Sequence, residues 1–281
     1  MTKTDEISCQ RVLAPTGMAQ ADYVINPYRG CQFGCRYCYA QWNKFARKQN
    51  CEWGSFVHIK TNAPQVLAGE LKAGVSGTVM LGSTTEVYQP AERKYRITRQ
   101  ILEQLADTSL SVIILTRSDL ICRDIDILRK LKRVLICFTI NSLDEGVVRS
   151  FEKCASPVAN RLDAVRLLRS AGLDVYLHAG PYLPVLTEPE KILDKVEGLV
   201  DRVDFENLNL KMLSWERLKH ILVSDFPHLV SQYEEIYLNK DGFQAYWDNV
   251  RERLTSLSAQ YPVAVNIYFH PYDSFFPVYT S

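Results

Sequence analysis

From about residue 64 onward, short runs of continuous apolar residues alternate with stretches whose apolar positions recur at helical spacing. Thr78–Gly82, Ser111–Thr116, Val134–Ile140, Asp174–Ala179, Val203–Leu210 and Val263–Phe269 predict buried strands. Pro64–Lys72, Ile97–Ala106, Arg123–Leu131, Ala159–Ala171, Pro189–Leu199 and Phe243–Gln260 predict helices. Pro64 suits a first helical turn and Gly172 a helix stop. Strands that are apolar on both faces, each followed by a helix, predict a parallel sheet covered on both sides. The repeat is about 30 residues, and some six units in one sheet predict an α/β fold of (β/α)-barrel type, incomplete and not flat. Before residue 64 the pattern is weak. Residues 1–21 read as an irregular lead-in, Asp22–Asn26 as a short strand, and 39–60 as a helix or loop rich in Trp, Lys and Arg. No Pro-, Gly- or Ser-rich linker divides the chain. Residues 1–210 are expected to form the partial barrel. Residues 211–281 are expected to be a helical and strand portion that completes or covers it.

Composition narrows the function only by exclusion. The chain has 281 residues, 47% hydrophobic and 23% charged, with a net charge of +1, which is ordinary for a globular protein. A near-neutral chain lacks the basic footprint of a nucleic-acid binder. No apolar run is long enough to span a membrane, and the polar start Met1–Glu6 shows no secretory signal. A cytoplasmic location is expected. Eight cysteines in a chain of this length do not make a disulfide scaffold. Cys9, Cys51, Cys122, Cys137 and Cys154 are scattered singly and read as structural or incidental.

The other three cysteines lie together in Asn26-Pro-Tyr-Arg-Gly-Cys-Gln-Phe-Gly-Cys-Arg-Tyr-Cys-Tyr-Ala40. Cys31, Cys35 and Cys38 have C-x3-C-x2-C spacing and no fourth cysteine nearby. Three such thiolates can ligate three corners of one [4Fe–4S] cube, which leaves the fourth iron open to chemistry. Gly30 and Gly34 allow tight turns around the cube. A structural zinc site is the alternative, but zinc wants four closed ligands and His58 is an ambiguous fourth. In a barrel, reactive groups lie at the C-terminal strand ends. That places Gly82–Glu86, Thr116–Asp119, Thr139–Ser142 and His178–Tyr182 at the site.

Cys31-x3-Cys35-x2-Cys38-Tyr39 resembles the signature of radical S-adenosylmethionine enzymes. That resemblance implies a partial (β/α)6 barrel with parallel strands over residues 22–210. It also implies a [4Fe–4S] cluster and S-adenosylmethionine as cofactors, with cleavage of the sulfonium to a 5′-deoxyadenosyl radical that abstracts hydrogen. Four stretches resemble the spore photoproduct lyase-like branch. They are Asn26–Cys31, Thr84–Glu92, Thr116–Asp119 with Arg123–Asp126, and Phe151-Glu152 with Ser156-Pro157 and Arg161-Leu162. The resemblance implies Cys31, Cys35 and Cys38 as cluster ligands and Tyr37 beside the adenine. It places Gly82, Ser83 and Thr84 at the methionine amino group. Arg117 matches the partner of the methionine carboxylate, and Thr139, with Asn141, lies near the ribose or carboxylate.

One position departs from that branch. In true spore photoproduct lyases a cysteine in the loop after the second strand returns a hydrogen atom, and by register Ser83 stands there. A serine O–H bond is too strong for that step. The expectation is therefore a sister enzyme on a small molecule, a nucleotide among the candidates, or on a peptide, served by an electron donor such as flavodoxin or ferredoxin. Nucleic-acid lesion repair and a non-catalytic Fe–S module are the alternatives. Glu86, His178 and Tyr88 are the candidate catalytic groups, each with a plain packing or solvated alternative. Tyr182, His270 and Tyr272 are further polar groups near the openings. Glu152 and Arg161 read as an ion pair or a cofactor edge, and Lys44–Lys48 as a solvated helix face.

Overall fold

The computed structural model describes residues 2–274, so the last seven residues of the expected C-terminal portion, 275–281, lie outside it. In chain order the strands are β1 (Lys3–Ile7), β2 (Ala14–Pro15), β3 (Tyr23–Ile25), β4 (Tyr28–Gly30), β5 (Phe56–Lys60) and β6 (Thr78–Leu81). They continue with β7 (Ser111–Thr116), β8 (Arg133–Thr139), β9 (Asp174–Tyr182), β10 (Arg202–Asn207) and β11 (Ala264–Tyr268). The helices are α1 (Ala63–Leu71), α2 (Ala91–Tyr95), α3 (Ile97–Ala106), α4 (Ile125–Leu128), α5 (Glu145–Phe151) and α6 (Val158–Ser170). They continue with α7 (Pro189–Val196), α8 (Leu210–Leu213), α9 (Trp215–Asp225), α10 (Val230–Leu238) and α11 (Lys240–Ser258). The expected α/β alternation is present; β3, β6, β7 and β8 pair in parallel, as do β9, β10 and β11, while β2 with β3 is antiparallel.

Two compact units divide the chain. The first holds the residues up to Cys35, then Ala40–Thr139 and Lys153–Tyr176. The second holds Arg36–Tyr39, Ile140–Glu152 and the chain from Leu177. In the first unit the strand order is β2-β3-β6-β7-β8, beside a separate three-stranded sheet β1-β5-β4. Val79, Leu81, Val112, Ile114, Ile136 and Phe138 form its buried centre. In the second unit β10 pairs in parallel with both β9 and β11. Buried Phe205, Tyr233, Tyr237, Phe243 and Trp247 fill its core.

Four expectations need correction. Residues 1–21 are not wholly irregular: β1 pairs in parallel with β5 from Lys3↔Phe56 to Ile7↔Lys60. Its sequence Lys-Thr-Asp-Glu-Ile is polar because the strand is mostly exposed, so backbone pairing and not apolar burial holds it there. Residues 39–60 are not one helix or loop. They comprise a short 3-10 turn at Tyr39–Trp42, a run of turns, and β5, four of whose five residues are buried. Lys44–Lys48 is accordingly no helix face. The Arg123–Leu131 helix shrinks to a 3-10 segment, Asp119–Asp124, followed by one turn of α4.

Candidate functional site

In the first unit the cysteine loop is fastened to the loop after β6 by polar side chains. The Thr85 hydroxyl donates to the Gly30 carbonyl at 2.6 Å. Gln89 accepts from the Gln32 amide at 2.8 Å and donates to Thr85 at 3.1 Å. Asn26 donates to the Ser83 hydroxyl at 2.9 Å and accepts from the Thr84 amide at 2.9 Å. Two glycines have a backbone reason. Gly82 has φ +92°, and a Cβ there would stand 2.8 Å from the Leu115 carbonyl oxygen. Gly30 has φ +82°, and a Cβ there would strike Phe56 at 2.6 Å.

Two thiols of the loop receive donors. The Glu86 amide donates to the Cys31 Sγ at 3.4 Å, and the Arg117 guanidinium donates to the Cys35 Sγ at 3.1 Å. Both Cys31 and Cys35 are buried, and no disulfide involves them or Cys38. N–H donors aimed at sulfur favour thiolate over thiol and tune the potential of a cluster that the sulfur ligates. Among the described residues no three His, Cys, Asp or Glu side chains form a ready cage for a single ion. Three thiolates with no fourth cysteine nearby suit three corners of a cube, whereas zinc wants four closed ligands.

Glu86 is buried, and its carboxylate accepts three hydrogen bonds from the loop after β6 and from around the end of β7. It accepts from the Tyr88 amide at 2.9 Å, the Thr116 hydroxyl at 2.8 Å and the Arg117 amide at 3.0 Å. Burial pushes its pKa up, against the pull of those three donors and of the Arg117 charge. Tyr88 is fully buried. Burial first, then the Asp124 and Glu92 carboxylates, raises its pKa far above the ordinary range. Most of the stretches singled out by resemblance are tied into polar networks within this unit. Glu92 accepts from the Tyr28 hydroxyl, the Thr98 amide (2.9 Å) and the Arg123 guanidinium (2.7 Å). Arg99 forks onto Asp126 at 2.7 and 2.9 Å. Ser156 donates to Asp119 at 2.7 Å, and Arg161 donates to the carbonyls of Ser156 (2.7 Å) and Thr139 (3.2 Å).

In the second unit Tyr37 is held by its hydroxyl. It donates to Glu152 and accepts from the Asn141 amide at 3.4 Å. The Arg36 amide bonds the Phe151 carbonyl at 2.8 Å, and the Arg36 guanidinium bonds Asp225 at 2.7 Å. The end of α5 therefore fixes the residues just before Cys38.

The second unit also gathers a group that sequence reading found only in part. Glu206, near the end of β10, lies 3.4 Å from the His178 Nε2 and 3.0 Å from the His270 Nε2. Burial opposes its charge, but hydrogen bonds and attraction from the two imidazoles outweigh that and lower its pKa. Asn207, next in the strand, holds the His270 backbone at both its amide and its carbonyl. The available signal was a polar Glu-Asn pair closing an apolar strand run at the end where a barrel carries its chemistry.

Residues 25–197 match the family described as the Radical SAM superfamily. An uncharacterized protein of Methanocaldococcus jannaschii, MJ0683, is 31% identical over 249 residues, covering 87% of this chain and 90% of that one. An uncharacterized protein of Mycobacterium tuberculosis, Rv2578c, is 30% identical over 275 residues, covering 92% and 81%. Among solved structures, a spore photoproduct lyase complexed with dinucleoside spore photoproduct superposes with a TM-score of 0.64 at 15% identity, covering 95% of this chain and 82% of that chain. Streptococcus suis SuiB bound to precursor peptide SuiA gives 0.56 at 15% identity, covering 90% and 50%. At that identity the likeness is one of fold. The family match spans well over half of the residues, and the chain belongs to the radical S-adenosylmethionine superfamily.

Proposed function

We propose that this chain is a cytoplasmic radical enzyme that acts on a small molecule, nucleotides included, or on a peptide. Cys31, Cys35 and Cys38 hold a [4Fe–4S] cluster, and S-adenosylmethionine binds beside it. The group supplies, when bound, one-electron cleavage of the sulfonium and hydrogen abstraction from substrate. The observation that carries the reading is the pair of donors on the signature thiols, Glu86 N–H to Cys31 and Arg117 to Cys35.

Each residue then has a task. The Arg117 fork can serve a thiolate and the methionine carboxylate from one position, because guanidinium carries five fixed donors. The Gly82 turn, closed to any side chain, lets Ser83 and Thr84 present the backbone to the methionine amino group. Tyr37, pinned by Glu152 and Asn141, offers a ring of fixed orientation to the adenine. Thr139 and Asn141 lie on the ribose side. Glu86, whose carboxylate takes the Tyr88 and Arg117 amides and the Thr116 hydroxyl and whose own amide faces Cys31, positions Arg117 and Cys31. Tyr88 packs beneath that loop, and His178 faces substrate.

Ser83 stands where true spore photoproduct lyases carry the hydrogen-returning cysteine, which supports a sister reaction over thymine-dimer repair. The test is anaerobic reconstitution, addition of S-adenosylmethionine and dithionite, and chromatography for 5′-deoxyadenosine. Product above the rate of a Cys35→Ala control is expected. Well-loaded protein that forms none would refute the reading.

A further inference from the structure

The excursion from Ala40 to Trp53 leaves the cysteine loop and returns to it. In the first unit its end touches the loop directly: a Cβ on Gly34 would lie 3.1 Å from the Gly54 Cα, with Cys35 the next residue. Its middle is tied as well, because the Arg29 guanidinium, two residues before Cys31, donates to the Arg47 carbonyl at 2.6 Å. Between those ties the chain makes a defined turn. The Ala46 and Arg47 amides bond the Asn43 carbonyl at 3.0 and 2.9 Å, and Asn43 accepts from the Phe45 amide at 2.8 Å. Ala46 is buried and anchors the turn.

This anchored turn holds its large apolar groups outward. Phe45 is 75% exposed and Trp42 42% exposed. Neither completes the core, and the Lys44 ammonium lies 5.0 Å over the Phe45 ring. The charge around them is mainly positive. Residues 40–53 carry Lys44, Arg47 and Lys48 against one acidic residue, Glu52. With a whole-chain net charge of +1, the remainder of the protein is net negative by one. Lys48 pairs with Asp5 at 3.4 Å, while Lys44 and Arg47 are exposed. Two exposed aromatics inside a cationic rim have the composition of an interface centre, enriched in aromatic and Arg residues.

We propose that Trp42, Lys44, Phe45 and Arg47 form the docking surface for an acidic, low-potential electron-donor protein. The inference rests on the reading of the cysteine loop as a cluster site. Such a site needs an electron from outside the chain to bring its cluster to the reduced state from which cleavage starts. The surface fastened to Gly34 and Arg29 is the one where a donor approaches Cys31 and Cys35. An acidic partner is selected by the rim charge, which steers encounter and falls off with salt.

The experiment uses the full-length reconstituted protein and a flavodoxin kept reduced by NADPH and its reductase, with dithionite as a small-molecule donor in parallel. The readouts are the bleaching rate of the cluster's visible absorbance and the affinity for labelled flavodoxin. The wild type should be reduced by flavodoxin at a rate that falls steeply with added salt. Lys44→Glu with Arg47→Glu should lower that rate about tenfold or more at low ionic strength, and Phe45→Ala should weaken binding, with dithionite bleaching unchanged in both. An unchanged flavodoxin rate in the charge-reversed variant, or an equal loss with both reductants, would overturn the proposal. So would a patch whose variants lose single-stranded RNA binding while flavodoxin reduction holds. Absence of 5′-deoxyadenosine with dithionite would sink the radical-enzyme reading separately, since the bleaching rates still decide the docking surface.

Discussion

Replacing Glu86 with alanine removes the group that holds the second cysteine-bearing contact in place. The carboxylate takes two backbone N–H groups, of Tyr88 and Arg117, and the Thr116 hydroxyl. The hydroxyl can rotate, but the two amides have no such freedom. Each buried donor left unmet costs about 1–3 kcal/mol. Relief of the buried carboxylate's own desolvation offsets part of that, so a net loss of about 3 kcal/mol is expected. With a urea slope of about 3 kcal/mol per M for a chain of this size, the midpoint should fall by about 1 M. Glu86→Gln keeps the volume and one carbonyl oxygen, so about half that loss is expected. The Arg117 contact to Cys35 should loosen with its amide, and cluster retention should follow the same order, wild type above Gln above Ala. The pH dependence has a definite sign. The Glu86 pKa is raised above its ordinary 4.5, so its contribution is full below 4.5 and is lost as pH rises through the raised value. Glutamine does not titrate, and its deficit against wild type should shrink over that rise. An alanine variant within about 1 kcal/mol of wild type would refute the positioning role.

Gly82→Ala should fold poorly and lose cofactor binding, because φ +92° and the Leu115 carbonyl 2.8 Å away leave a Cβ no room; retained S-adenosylmethionine affinity by calorimetry would contradict this. Arg117→Lys should keep the cluster absorbance but weaken S-adenosylmethionine about tenfold, since a point charge replaces a bidentate fork; equilibrium binding checks it. Glu92→Ala leaves Arg123 short of a carboxylate and the Tyr28 hydroxyl unmet in the interior, so a loss of about 3–5 kcal/mol is expected in urea unfolding. Glu206→Gln should cost little, because the group is partly exposed. That cost should be present above pH 4.5, where the depressed carboxylate is charged, and vanish as pH falls through the lowered value.

The middle of the chain was legible because burial and pattern coincide there. β7 is Ser111–Thr116 and α3 is Ile97–Ala106, with the bounds that periodicity alone predicts. The first 60 residues were not, because β1 is a polar strand held by its backbone. The segment after Cys38 keeps Phe45 and Trp42 outside the core, which breaks the link between apolar residue and interior on which pattern reading depends. The cysteine spacing was legible because ligation depends on local sequence. What fastens the loop was not, since Gln32 with Gln89 and Asn26 with Ser83 are 57 residues apart. His178 was expected late in a strand ending at Ala179, but β9 continues to Tyr182 and leaves it mid-strand; its partnership with Glu206 required knowing that β9 and β10 are neighbours.

The central claim is that Cys31, Cys35 and Cys38 hold a cluster with one iron open to S-adenosylmethionine. Electron paramagnetic resonance of the dithionite-reduced, reconstituted protein tests it most directly. The account predicts a [4Fe–4S] signal that changes when S-adenosylmethionine is added and that is absent from Cys35→Ala. A signal indifferent to S-adenosylmethionine, or one retained in that variant, would contradict it.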